Sequence, residues 1–216
     1  MPYPRHLRRA PLLLALAGAL AGAALGACSD GETPDAPVIA TLPPGELSSL
    51  VVQPTEVASG VVPILAQTGP ADATRIASFS ADPTAAAASL ASHGFERAYV
   101  VQYGDPATRR SVTSVVARFG TEAGATADLT GDLTAARATG TPYDEPGLGD
   151  QAGGVESDLN ASAGTGSLVT LRWRLGRTTW LIAIGATGKV DRAVLRTLAE
   201  RILARAAGSA TPSPTP

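Results

Sequence analysis

Residues 168–185 read LVTLRWRLGRTTWLIAIG, and this stretch decides the fold. Apolar residues recur at every second position on both sides of Gly176-Arg177. They run Val169, Leu171, Trp173, then Trp180, Ile182, Ile184. A period of two puts alternate side chains on opposite faces of a strand. A two-residue loop with glycine first suits a type II′ turn, whose twist matches the strands it joins. The expected hairpin pairs Leu175 with Thr178, Trp173 with Trp180, Leu171 with Ile182 and Val169 with Ile184. The six apolar residues then share one face, and Arg172 and Arg174 point to the other. A slip of one residue would mix the two faces, so the pattern favours this register.

Outward from the hairpin the periods change. Residues 190–206 predict a last helix with Val194, Leu198 and Ile202 on one face. Asp191 in its first turn and Arg201 and Arg205 near its end suit the helix dipole. Upstream, residues 155–159 predict a short strand, and 140–154 a loop rich in glycine, proline and acids. Thr121 caps an expected helix to about Arg137, with Ala125, Leu129 and Leu133 as its buried stripe. Residues 98–103 and 111–119 predict strands joined by a turn at Gly104-Asp105-Pro106. Asp82-Pro83 opens an Ala-rich helix, and Gly94 stops it with Phe95 folding back. Residues 46–60 suggest a short helix that Pro54 helps to end, and 61–67 a weak strand. The order reads as α+β: an antiparallel sheet with helices packed on one side.

The N-terminus has a different character. Arg5, Arg8 and Arg9 precede an apolar run of Leu, Ala and Gly that ends at Ala27, with no acid before Asp30. A basic leader, an apolar stretch and small residues make a secretory signal. The run lies near the lower limit of about 17 residues for a bilayer span, and its Ala and Gly make it weakly hydrophobic. Leu25-Gly26-Ala27-Cys28 resembles the lipobox of bacterial lipoproteins. That resemblance implies a diacylglyceryl group on the Cys28 sulfur and cleavage before Cys28. Two or more acyl chains anchor a protein stably to a membrane where one does not. Arg8-Arg9 could signal twin-arginine export, but Ala10-Pro11 departs from that pattern. The general secretion route is the expectation.

The resulting division is a signal peptide over 1–27, a lipidated Cys28 with a flexible linker to 45, one α+β domain over 46–206 and a disordered Ser/Thr/Pro tail over 207–216. From about Leu50 onward the chain also resembles a group of uncharacterised secreted bacterial lipoproteins. Glu56-Val57-Ala58-Ser59-Gly60 stands where these often carry Asp-Leu-Pro-x-Gly, with Glu and Ala in place of Asp and Pro. Ser80-Ala81-Asp82-Pro83 leads a helix into Gly94-Phe95, and Phe119 precedes a helix with Gly124-Ala125. Gly147-Leu148-Gly149-Asp150 comes before a short strand, and Leu171 to Trp180 matches their strand, turn and return strand. The resemblance implies the lipoprotein class and the domain boundaries, and it adds no site.

Composition excludes several chemistries. Loss of Arg5, Arg8 and Arg9 with the signal leaves 14 basic and 19 acidic residues, a net charge of −5. Nucleic acid, which needs a basic face, is not an expected partner. Beyond the signal there is one histidine, His93, and one cysteine, Cys28. An internal disulfide, a Cys/His zinc site and a cysteine nucleophile are therefore ruled out. No cofactor is expected.

The remaining candidates each have a plain structural alternative. Gly185-Ala186-Thr187-Gly188-Lys189 looks like part of a phosphate-binding loop, but Ala183 and Val190 stand where that motif needs Gly and Ser or Thr. A strand-to-helix turn is expected instead. Asp144, Glu145, Asp150, Glu156 and Asp158 could bind calcium or act as an acid/base pair, against a solvated loop. Arg172, Arg174 and Arg177, with Arg109 and Arg110, could bind an anion, against exposed solubilising charge. His93 is expected to stabilise a helix end. Trp173 and Trp180 could stack on a sugar, but a cross-strand core pair is favoured. The expectation is a non-enzymatic binding or interaction module on the extracytoplasmic face of the cell membrane. It would be held there by lipid and serve a small ligand or an envelope protein. The alternatives are an envelope hydrolase using Asp150 and Glu156, and an accessory subunit of an envelope complex.

Overall fold

The computed structural model describes residues 42–105, 107–161 and 164–209. The signal segment, Cys28, most of the linker and the end of the tail lie outside the described residues. Chain packing begins before residue 46. Pro43 carbonyl accepts a 2.6 Å hydrogen bond from Tyr99 Oη, and Leu42 packs against the core.

The fold is α+β, as expected. Eight strands form one antiparallel sheet: β1 (Val62–Pro63), β2 (Gly69–Ala71), β3 (Phe95–Asp105), β4 (Arg110–Phe119), β5 (Thr141–Asp144), β6 (Gln151–Ala161), β7 (Gly164–Leu175) and β8 (Thr178–Thr187). The order across the sheet is β1-β3-β4-β8-β7-β6-β5, and β2 also pairs with β3. The hairpin of β7 and β8 sits in the middle with the expected register, Trp173 opposite Trp180 and Leu171 opposite Ile182. Gly176 takes a φ of +56° in its turn, a conformation that glycine adopts freely.

Four helices cover the sheet: α1 (Ala73–Ala77), α2 (Pro83–Ser92), α3 (Glu122–Arg137) and α4 (Arg192–Ser209). They do not all lie on one side. The Trp face carries α4, whose Leu195, Leu198, Ala199 and Ile202 join Trp173, Trp180, Ile182 and Ile184 in the larger core. The opposite face carries α1, α2 and α3, with Ala86, Leu90 and Ala125 packed on Val100, Ala117 and Phe119. The second apolar face comes from β3 and β4, where Ala98, Val100, Ala117 and Phe119 alternate with Tyr99, Val101, Tyr103, Val112 and Val116 of the first. Strands buried on both faces need cover on both sides.

Local signals account for the helix ends. Asp82 Oδ1 accepts from the Ala85 amide at 2.9 Å, and Gly94 closes α2 at φ +72°. Thr121 Oγ1 accepts from the Gly124 amide at 3.0 Å and starts α3. Asp191 lies just before α4 rather than in its first turn, and its carboxylate accepts from the Ala193 amide. The buried stripe of α4 uses Leu195, while Val194 is about half exposed. Other expectations are corrected. Residues 46–60 hold two 3₁₀ turns, Ser48–Leu50 and Pro54–Glu56, and Pro54 opens the second because its fixed φ suits a first helical position. The loop expected over 140–154 contains β5 and the start of β6. Pro142 can stand in β5 because β5 is the sheet's edge strand. Among the described residues no helix is long and apolar enough to cross a membrane.

Candidate functional site

The face of the sheet under α1, α2 and α3 is incompletely filled. A cleft of about 750 Å³ lies between α1 and α2 on one side and α3 on the other. Ile76, Phe79 and Leu90 line one wall, and Leu129 and Ala135 the other. Val115, Ala117, Thr113, Thr179 and Leu181 of β4 and β8 form its floor. Small side chains explain the gap. Helix α2 presents Ala86 and Ser89 to it, and α3 presents Gly131 and Ala135. The helices touch where Gly124 lies on the carbonyl of His93.

Charged or titratable groups from three elements enter this largely apolar cleft. Asp128 and Asp132 stand four residues apart on α3, beside the buried Leu129–Leu133 stripe, and so face the same way. Arg172 comes from β7, its side chain only 9 % exposed, and pairs through Nη1 with Asp132. His93 comes from the C-cap of α2. Its Nδ1 is 3.8 Å from Asp128 Oδ1, beyond hydrogen-bond reach. Among the described residues both His93 Nδ1 and Arg172 Nε are buried with no hydrogen-bond partner. Burial and the neighbouring Asp132 carboxylate push the Asp128 carboxyl up to about 8, against the smaller pull of Arg172. Asp128 is therefore mainly protonated at neutral pH and can donate a hydrogen bond.

The residues singled out in the sequence fall elsewhere, apart from Arg172, His93 and Trp180, which touch the cleft. Trp173 and Trp180 stack with centroids 5.7 Å apart, both buried in the α4-side core, so they offer no sugar platform. Arg172 and Arg174 are not exposed solubilising charges. Arg174 pairs with Asp150 at 2.9 Å, its side chain 13 % exposed. Arg177 donates to the Gly120 carbonyl at one end of the sheet. Arg109 and Arg110 follow β3 at its other end, so the five arginines form no common anion site. The acids are dispersed too. Asp144 pairs with Arg137, Glu145 with Arg196 and Glu156 with Arg192, while Asp158 is exposed. Asp150 and Glu156 are separated by the first stretch of β6, roughly 17 Å of extended chain. A glycosidase carboxylate pair stands about 5–10 Å apart. Among the described residues no cluster of three or more His, Cys, Asp or Glu could hold a metal ion. Gly185 to Thr187 belong to β8, and Gly188 turns the chain toward α4 at φ +85°.

The cleft and both of its aspartates escaped the sequence reading. The available signal was the pair Asp128 and Asp132 at helical spacing along a buried stripe, together with an arginine in the middle of a central strand.

No family model and no curated protein matches the chain. Among solved structures it is similar to the extracellular domain of PknH from Mycobacterium tuberculosis. The TM-score is 0.38 at 9 % identity, covering 56 % of this chain and 69 % of that one. A likeness of that degree assigns neither a fold family nor a function.

Proposed function

We propose that this chain is a lipid-anchored binding protein of the cell envelope and that the cleft beneath α1, α2 and α3 is its ligand site. The cleft carries the proposal. Its volume lies in the range of about 300–1,000 Å³ usual for small-molecule sites, and apolar walls with a few convergent polar groups are the usual lining. The anchor rests on the lipobox at Leu25-Gly26-Ala27-Cys28. The non-enzymatic reading rests on composition: beyond the signal the chain has one histidine, His93, and one cysteine, Cys28.

Two experiments test the two halves. Cys28→Ala should abolish labelling by a fatty-acid analogue and release the chain from membranes; unchanged labelling would refute the anchor. For the cleft, native mass spectrometry of the Cys28→Ala chain after exposure to a lipid extract should find a bound small molecule. Ser89→Trp, which places an indole in the cleft, should prevent its capture. Equal capture by the Ser89→Trp chain would move the ligand site elsewhere.

A further inference from the structure

The polar end of the cleft specifies a kind of ligand. Arg172 has its charge matched by Asp132, yet among the described residues its buried Nε–H has no partner. Asp128 adds a second donor, since burial beside Asp132 keeps its proton on. Among the described residues the charged or titratable groups facing Asp128 are Asp132 on α3, His93 at the C-cap of α2 and Arg172 on β7. Arg172 is already matched by Asp132, so a carboxylate or phosphate head would enter without compensation from it. A cationic amine has only donors to offer. It would leave Arg172 Nε unsatisfied and would stand next to the guanidinium. Burying an unpartnered polar group is unfavourable, so a fitting ligand should supply an acceptor. The remaining lining is mainly apolar, with the hydroxyls of Ser89, Thr113, Thr130, Thr134 and Thr179 among it, and accepts a hydrocarbon body.

We infer that the cleft takes an uncharged acyl ester or amide, its hydrocarbon chain between α2 and α3 and its carbonyl oxygen accepting from Arg172 and Asp128. This rests on the cleft being the ligand site. No bond is made or broken.

The test uses three molecules with one chain length and different heads: methyl decanoate, decanoate and decylamine. Each is titrated into the full chain carrying Cys28→Ala, and into the same chain with Ser89→Trp, while thermal unfolding is followed. The ester should raise Tm by roughly 5 °C at concentrations far above its Kd and exceed both charged analogues. The gain should disappear in the Ser89→Trp chain. As pH rises past about 8 the gain should fall away, because ionised Asp128 turns from donor to acceptor facing the carbonyl. Asp128→Asn, which cannot ionise, should remove that fall. A larger effect from decanoate or decylamine would overturn the ligand class and leave the cleft standing. If none of the three acts, or all act equally on the Ser89→Trp chain, the cleft reading falls and this inference with it.

Discussion

Gly124 lies flat against the main chain of His93: a β-carbon on Gly124 would stand 1.9 Å from the His93 carbonyl oxygen. This contact joins α2 to α3 at one end of the cleft. In the first turn of a helix, an alanine would ordinarily be preferred to glycine by about 0.5–1 kcal/mol. Here the methyl has no room, because the obstacle is backbone. Gly124→Ala should therefore destabilise the protein by roughly 1–3 kcal/mol, the cost of overpacking. Gly131, in the same helix, is the control. Nothing stands within 4 Å of a β-carbon there, so Gly131→Ala should gain about 0.5–1 kcal/mol. Urea unfolding of both variants checks the pair, and a Gly124→Ala protein as stable as wild type would contradict the contact.

The tryptophans stack but are not equivalent. Trp180 Nε1 donates to the Leu50 carbonyl at 3.1 Å and ties the first 3₁₀ turn to the sheet, whereas Trp173 Nε1 is buried without a partner among the described residues. Replacing either by Phe removes a similar ring volume. Only Trp180→Phe leaves a carbonyl without its donor, while Trp173→Phe removes an unsatisfied N–H. Trp180→Phe should cost about 1–3 kcal/mol more than Trp173→Phe. Equal midpoints in denaturant would show that the Leu50 bond contributes nothing.

The stretch that set the register of these tryptophans was legible because its period was unbroken and its turn was short. Val169, Leu171 and Trp173 could share only one face, and Gly176 left little freedom in the loop. Asp82, Thr121 and Gly94 were legible for a similar reason, since each acts on backbone groups within three residues. What could not be read locally was the second covered face. Ala98, Val100, Ala117 and Phe119 are apolar, but their burial depends on α1, α2 and α3 arriving from distant sequence. The cleft is harder still, because it follows from side chains that are too small to fill a space. Arg172 seemed a surface charge because its partner Asp132 stands forty residues away.

That ion pair is itself testable. Arg172 and Asp132 have side chains 9 % and 20 % exposed. Breaking a buried pair leaves one charge without compensation and costs about 3–5 kcal/mol, whereas replacing both partners by apolar groups is often nearly neutral. Arg172→Met and Asp132→Leu should each destabilise strongly, at the low end of that range because the pair is not fully dry. The double variant should recover most of the loss. A double-mutant cycle in denaturant measures this. Additive losses in the double variant would mean that the two side chains act independently.

Asp128 gives the protein a pH dependence of definite sign. Its carboxyl is raised from 3.8 to about 8 in the folded chain by burial, with Asp132 adding to the shift. An acid whose pKa is raised by folding binds its proton more tightly in the native state. Between about pH 4 and pH 8 the unfolded chain has lost that proton and the folded chain still holds it, so stability falls as pH rises through this window. Below the window both states are protonated and the term vanishes; above it both are ionised and the penalty is complete. Asp128→Asn keeps the shape and removes the ionisation, so its stability should decline less across the window, and its advantage over wild type should be largest at the alkaline end. Ion pairs that hold other carboxylates, such as Arg205 with Glu56 and Arg192 with Glu156, are common to both proteins and cancel in the comparison. The measurement is the urea midpoint of each protein at several pH values from about 4 to about 9. Parallel curves for the two proteins would show that Asp128 ionises normally in the fold and would remove the donor that the cleft needs at its polar end.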